Sequence, residues 1–149
     1  MESVVQPLKT AVIDRLRVEV YPNRLAMGTA AGTQAAGKIR QLLTKQEEVR
    51  IVFAAAPSQN ELLATLAKAE GIDWKRVTVF HMDECLDWEG KLLHPDDPHN
   101  FRSFMEKHFY GGIPDELAVP HERRIFPEPA RIEEIKALVA EALSTRPGR

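Results

Sequence analysis

The chain has 149 residues, 44% of them hydrophobic and 28% charged, with 20 Lys and Arg against 22 Asp and Glu for a formal charge of −2. That is the balance of one ordinary globular domain over residues 1–149, long enough to withdraw roughly two-thirds of its unfolded surface from water, so disorder is excluded. There is no basic excess of the kind that tracks nucleic-acid phosphates, and no apolar run reaches the length of a membrane span.

The single cysteine, Cys85, cannot close an intrachain disulfide. Met1-Glu2-Ser3-Val4-Val5-Gln6-Pro7 has neither the basic start nor the apolar core of a leader peptide, so a cytoplasmic protein is expected. Residues 16–21, Leu-Arg-Val-Glu-Val-Tyr, alternate apolar and charged, as in an edge or half-covered strand, and Pro22 ends the run. Asn23 can cap the next segment, where Leu25, Ala36, Ile39 and Leu43 fall near helical spacing. Three glycines weaken that helix.

Residues 49–56, Val-Arg-Ile-Val-Phe-Ala-Ala-Ala, are short, β-branched and nearly all apolar, as expected of a strand buried on both faces of a parallel sheet. Pro57-Ser58-Gln59-Asn60 breaks it. An amphipathic helix is predicted over 61–70, with Leu62, Leu63 and Leu66 inward and Gly71 at its C-terminal cap. A second buried strand follows over 76–82 and ends on Asp83-Glu84. Residues 88–98 form a long acidic loop, 101–110 a helix stopped by Gly111-Gly112, and four prolines punctuate the connection to a last amphipathic helix marked by Ile132, Ile135, Leu138, Val139 and Ala142.

Alternating strands and helices give the α/β class, a mostly parallel sheet flanked by helices. Only three strands are legible, at 16–21, 49–56 and 76–82. So small a parallel sheet has two raw edges and apolar faces to cover, which points to an incomplete domain or to cover by another chain, as in a homo-oligomer.

Four patterns are of types that carry chemistry. Gly32-Thr33-Gln34-Ala35-Ala36-Gly37-Lys38-Ile39 nearly matches a nucleotide phosphate loop, but Ile39 lacks the hydroxyl that holds Mg²⁺, and no buried strand leads directly into it. Gly28 and Gly32 are better explained by close helix packing. The strand-loop-helix around Ser58, Gln59 and Asn60 would aim backbone N–H groups and a helix N-terminus at the carboxyl edge of the sheet, which suits a phosphate; Ser58-x-x-Glu61 also reads as a capping box. Asp83-Glu84 ends the neighbouring strand at the same edge, where ligands bind in open α/β sheets, so Asp83 is a candidate base and Glu84 a candidate for orienting a partner or contacting the next loop. His94, Asp96, Asp97 and His99 are metal-ligating types held extended by Pro95 and Pro98, with no second cluster; no metal and no cofactor is expected. His81 and the aromatics Trp74, Phe101, Phe104 and Phe109 are predicted to pack inside.

Val77-Thr78-Val79-Phe80-His81-Met82-Asp83-Glu84, the proline-rich loop, and then Asn100-Phe101-Arg102-Ser103-Phe104-Met105 resemble the glucosamine-6-phosphate deaminase/isomerase family, whose Rossmann-type fold 6-phosphogluconolactonases share. The resemblance runs from about residue 16 to 129 and covers an N-terminal half. It implies a sugar-phosphate substrate, Asp83 as the carboxylate that moves a proton between C2 and C1, and Ser58 with the backbone to Asn60 as the cradle for the 6-phosphate. It also implies that the chain alone does not turn over, because nothing in it matches the family's later Asp-Gly-His. A 6-phosphogluconolactonase-like hydrolase, a phosphate-loop nucleotide binder and a stand-alone binding module are the alternatives.

Overall fold

The computed structural model describes residues 5–145; residues 1–4, part of the stretch read for a leader, and 146–149, the closing run, lie outside them. The chain forms strands β1 (Lys9–Ile13) and β2 (Leu16–Val20), helix α1 (Arg24–Leu43), strand β3 (Val49–Phe53), helix α2 (Asn60–Ala67), strand β4 (Val77–His81), helix α3 (Phe101–His108), strand β5 (Arg124–Ile125) and helix α4 (Ile132–Ser144). The α/β class holds. Strands β3, β4 and β5 form a parallel sheet in that order.

Two of its details differ from the sequence expectation. Leu16–Val20 does not join the parallel sheet; it pairs antiparallel with β1 across a two-residue turn in which Asp14 has φ +53°. Asp tolerates that left-handed conformation better than most side chains, and β1 itself carries too little hydrophobic alternation to stand out. The third parallel strand is β5, two residues long, paired through Val79↔Arg124 and Phe80↔Ile125. A strand so short between prolines leaves no periodicity to read.

Helix α1 starts where Asn23 accepts the N–H of Ala26 at 2.8 Å. At its other end Arg76, just before β4, donates to the carbonyls of Leu43 and Gln46 at 3.1 and 2.7 Å and to that of Glu47 at 2.8 Å. One side chain thereby closes the helix and fixes the start of β4 beside the start of β3. Helices α1 and α2 approach closely because Gly28 and Gly32 carry no Cβ: one at Gly28 would lie 2.4 Å from Cβ of Glu61, and one at Gly32 would lie 2.7 Å from Cβ of Thr65. The small-residue explanation of these glycines is borne out.

One face of the sheet, with Val49, Phe53, Val77 and Val79, packs on Leu63 and Leu66 of α2, Met105 of α3 and Phe109. Phe109 meets Phe53 and Trp74 edge-on at 5.1 and 5.4 Å between ring centroids. Trp74 and Phe109 are fully enclosed, and Phe101 and Phe104 pack on the core partly buried, as predicted. The opposite face is left largely open. Val52 is 65% exposed, and a cleft of about 390 Å³ separates Val52, Phe80 and Met82 from Ile135, Val139 and Leu143 of α4. Helix α4 is tethered at its end by Arg50, which donates to the carbonyl of Ala142 at 2.9 Å and to Oγ1 of Thr145 at 2.6 Å.

Candidate functional site

Strands β3 and β4 are adjacent and parallel, with Val52 beside Phe80 and Phe53 beside His81. The pairing continues one step past the strand, where the N–H of Met82 donates to the carbonyl of Phe53 at 2.9 Å. The loop carrying Ser58 and the segment carrying Asp83 therefore leave the same carboxyl edge, side by side, where a doubly wound sheet offers its ligand crevice.

The Ser58 loop is built differently from the capping box. A 3₁₀ turn over Pro57–Gln59 precedes α2, which begins at Asn60 with Gln59 in the cap position, and Ser58 caps nothing. The N–H of Gln59 donates to Ala56 and that of Asn60 to Pro57, so two of the amides expected to face a phosphate are used within the turn. Ser58 is exposed, Gln59 and Asn60 are half-buried, and Oδ1 of Asn60 is enclosed without a hydrogen-bond partner. Glu61, freed from the box, is paired instead with Arg24 at the start of α1: Nε of Arg24 donates to its carboxylate at 2.8 Å, and Nη2 of Arg24 donates to the carbonyl of Pro57. That guanidinium, first, holds the Glu61 carboxyl below the usual carboxylate range.

Asp83 and Glu84 part company, as neighbours on an extended chain do. Asp83 is exposed. Glu84 turns the other way, and its carboxylate accepts the N–H groups of Cys85, Phe101 and Arg102 at 3.1, 2.7 and 2.9 Å. Buried Asn100 completes the helix start by accepting the N–H of Ser103 at 2.8 Å while donating to the carbonyl of Leu93 at 2.9 Å. These groups satisfy the donors that open α3 and place a negative charge at its positive end. The acidic loop between them is folded onto itself: Asp87 accepts the N–H groups of Glu89 and Lys91, both at 2.8 Å, and Leu86 bridges Leu92.

Just behind this edge lies a buried aromatic cluster flanked by two partly buried arginines. His81 is stacked flat on Phe126 with centroids 3.8 Å apart, and its Nε2 shares a hydrogen bond with the Tyr110 hydroxyl at 2.9 Å. Arg102 lies over Phe126 at 4.9 Å and Arg124 over Tyr110 at 4.2 Å, Arg124 being held by both oxygens of Glu106. Burial, then the two guanidinium charges, push the His81 imidazole down to about 3, so it is neutral at physiological pH. Burial likewise raises the Tyr110 phenol. His81 thus braces the strand that presents Asp83.

Sequence reasoning missed Arg24 and the arginine cluster. A signal for Arg24 was present, since Arg24, Gly28 and Gly32 recur every four residues on one helix face; Arg124 had none, because it enters through a two-residue strand. The near match to a nucleotide phosphate loop is corrected: residues 32–39 lie wholly inside α1, and Nζ of Lys38 reaches only Oε1 of Gln41 at 3.3 Å. Helical backbone donors are spent on the helix and cannot cradle a nucleotide. His94 pairs with Asp96 and His99 with Asp97, and among the described residues no three His, Cys, Asp or Glu side chains converge to hold a metal ion. Among the same residues no helix is long and apolar enough to cross a membrane.

No protein-family model and no curated protein sequence matches the chain. Solved structures do. A monomeric glucosamine-6-phosphate deaminase of the NagB superfamily is similar with a TM-score of 0.61 at 15% identity, over 80% of this chain and 48% of its own. A 6-phosphogluconolactonase from Shewanella baltica OS155 is similar with a TM-score of 0.58 at 15% identity, over 85% of this chain and 50% of its own. A devB protein follows at 0.55 and 18%, over 82% and 49%. The chain thus spans about half the length of the solved structures it matches, and its fold is the one that the deaminase and the lactonase have in common.

Proposed function

We propose that the carboxyl edge of β3 and β4 is one half of a sugar-phosphate site, and that its ligand is an amino-sugar 6-phosphate handled as glucosamine-6-phosphate deaminase handles its own. In this reading exposed Asp83 is the base that moves a proton between C2 and C1 of the opened sugar. Ser58, with the side chains of Gln59 and Asn60, holds the phosphate. Glu84 is a positioning residue, since its oxygens are occupied by α3. A base that shuttles a proton between neighbouring carbons needs no cofactor, only a substrate pinned at its far end so that base and proton meet. The single observation that carries the reading is the hydrogen bond from Met82 to Phe53, which sets the phosphate-loop candidate and the carboxylate candidate on one edge. The likeness in fold to a glucosamine-6-phosphate deaminase supports it.

A 6-phosphogluconolactonase-like hydrolase remains the second reading, favoured by the comparable likeness to the Shewanella baltica enzyme. Both need the phosphate contact; only the isomerase needs a base at C2. Titration of the isotopically labelled chain with glucosamine 6-phosphate tests the reading, the expected result being saturable shifts at Ser58, Gln59, Asn60 and Asp83 with one common Kd. Shifts confined to other parts of the chain would remove the site. In Asp83→Asn the loop shifts should persist while those around residue 83 change, because the phosphate contact does not involve Asp83.

A further inference from the structure

Glu61 poses a problem for any anion at the Ser58 loop. It lies in the first turn of α2, where a carboxylate favours the helix through the helix dipole, yet the same charge repels a phosphate approaching that end. We propose that Arg24 is the residue that resolves this conflict: a positioning residue that neutralises Glu61, leaving the loop able to accept an anion at Ser58. The inference rests on the reading of the Ser58 loop given above.

The placement of Arg24 follows from the packing of α1. Asn23 caps that helix, so Arg24 is its first residue, and Gly28 lies one turn further along the same face. Because Gly28 has no Cβ, this face comes to within contact of Glu61, and Arg24 overhangs the loop just before it. A forked guanidinium can hold two acceptors at once; here Nε takes the Glu61 carboxylate at 2.8 Å and Nη2 the Pro57 carbonyl, so Arg24 touches the first residue of the Pro57–Gln59 turn and the first turn of α2 together. The Arg24 side chain stays half-exposed, at 53%, while that of Glu61 is more enclosed at 25%, so the positive partner is the one turned toward solvent.

A plain staple between two helices would use the same contacts, and the two roles separate by charge. Inorganic phosphate and glucosamine 6-phosphate are titrated into the labelled full chain and followed at the amides of Ser58, Gln59 and Asn60, with circular dichroism confirming that each variant is folded. Arg24→Ala, which leaves Glu61 unpaired, is expected to weaken both ligands about tenfold. Arg24→Lys keeps the charge and should lose less than about threefold. The double variant Arg24→Ala with Glu61→Gln is decisive: with the repelling charge gone, affinity should return to within about threefold of wild type, whereas removal of a staple cannot be repaired by removing its second half. An Arg24→Ala chain that binds as wild type does, or a double variant as weak as Arg24→Ala, overturns the inference and leaves the loop reading intact. A wild-type chain whose loop amides do not respond to either ligand overturns the loop reading and the role of Arg24 with it.

Discussion

The carboxylate of Glu84 accepts the backbone N–H of Phe101 at 2.7 Å, across a folded loop of sixteen intervening residues. Two stretches that resemble one family in sequence are therefore parts of one local structure: the first supplies the anion that the first turn of the second requires. Asp83 is aimed outward because Glu84 is anchored inward.

Glu84→Ala should cost about 2 kcal/mol, since it strips the acceptors from three backbone donors and a favourable charge from a helix N-terminus. Urea unfolding monitored by circular dichroism gives the measurement. A loss under half a kilocalorie per mole, about one-quarter of that figure, would mean that Asn100 and solvent suffice to start α3.

The buried imidazole of His81 makes stability depend on pH. Above its ordinary value of 6.5 the ring is neutral in both folded and unfolded chains; as pH falls from 6.5 toward about 3, only the unfolded chain takes up the proton, and folding loses stability. The slope from this one group approaches about 1.4 kcal/mol per pH unit. Carboxylates contribute at the lower end, so the quantity to measure is the difference between wild type and His81→Gln from pH 7 to 5. Parallel stability curves would show that His81 titrates normally in the folded chain.

Glycine replacements in α1 should differ in sign. Gly28→Ala and Gly32→Ala gain helix propensity but drive a methyl group into Glu61 or into Thr65 and Leu62, for a net destabilisation of about 1–3 kcal/mol. Gly37, exposed and with nothing within 4 Å of an added Cβ, should become up to about 1 kcal/mol more stable as Ala. Thermal unfolding of the three variants side by side is enough to check this.

Helix α4 should open well before the rest of the chain unfolds. Ile135 is its one buried residue among those described, and Arg50 holds its end. Native-state hydrogen exchange is expected to show α4 amides less protected than those of α1, with Arg50→Ala lowering α4 protection further and leaving α1 unchanged.

What was legible in the sequence is what repeats along it. The apolar runs at residues 49–53 and 77–81 are legible as strands of a parallel sheet, and both loops of the candidate site follow from their ends, but the expected burial of 49–53 on both faces is met on one face only, since Val52 stands 65% exposed. Asn23 announced the start of α1 because a short polar acceptor before a long helix has one common use. The capping box failed by one residue of register: with a 3₁₀ turn over Pro57–Gln59 inserted after Ala56, α2 starts at Asn60, and Glu61 finds Arg24 instead of the loop. Local pattern cannot foresee a partner 37 positions away. The length of β5 and the pairing of β1 with β2 are likewise set by what lies beside them, which is tertiary information.

The uncovered face of the sheet changes how this protein must be assayed. Val52 and Met82, 65% and 64% exposed over an apolar cleft, offer hydrophobic dyes a docking place in the fully folded chain, so a bright dye signal is no sign of a molten state, and thermal shifts read by such dyes begin from a high baseline. The two tryptophans provide the alternative. Trp74, 2% exposed and edge-on to Phe109, will report loss of the core by its emission shift, while Trp88, 92% exposed, contributes a nearly constant solvent-like background that Trp88→Phe removes.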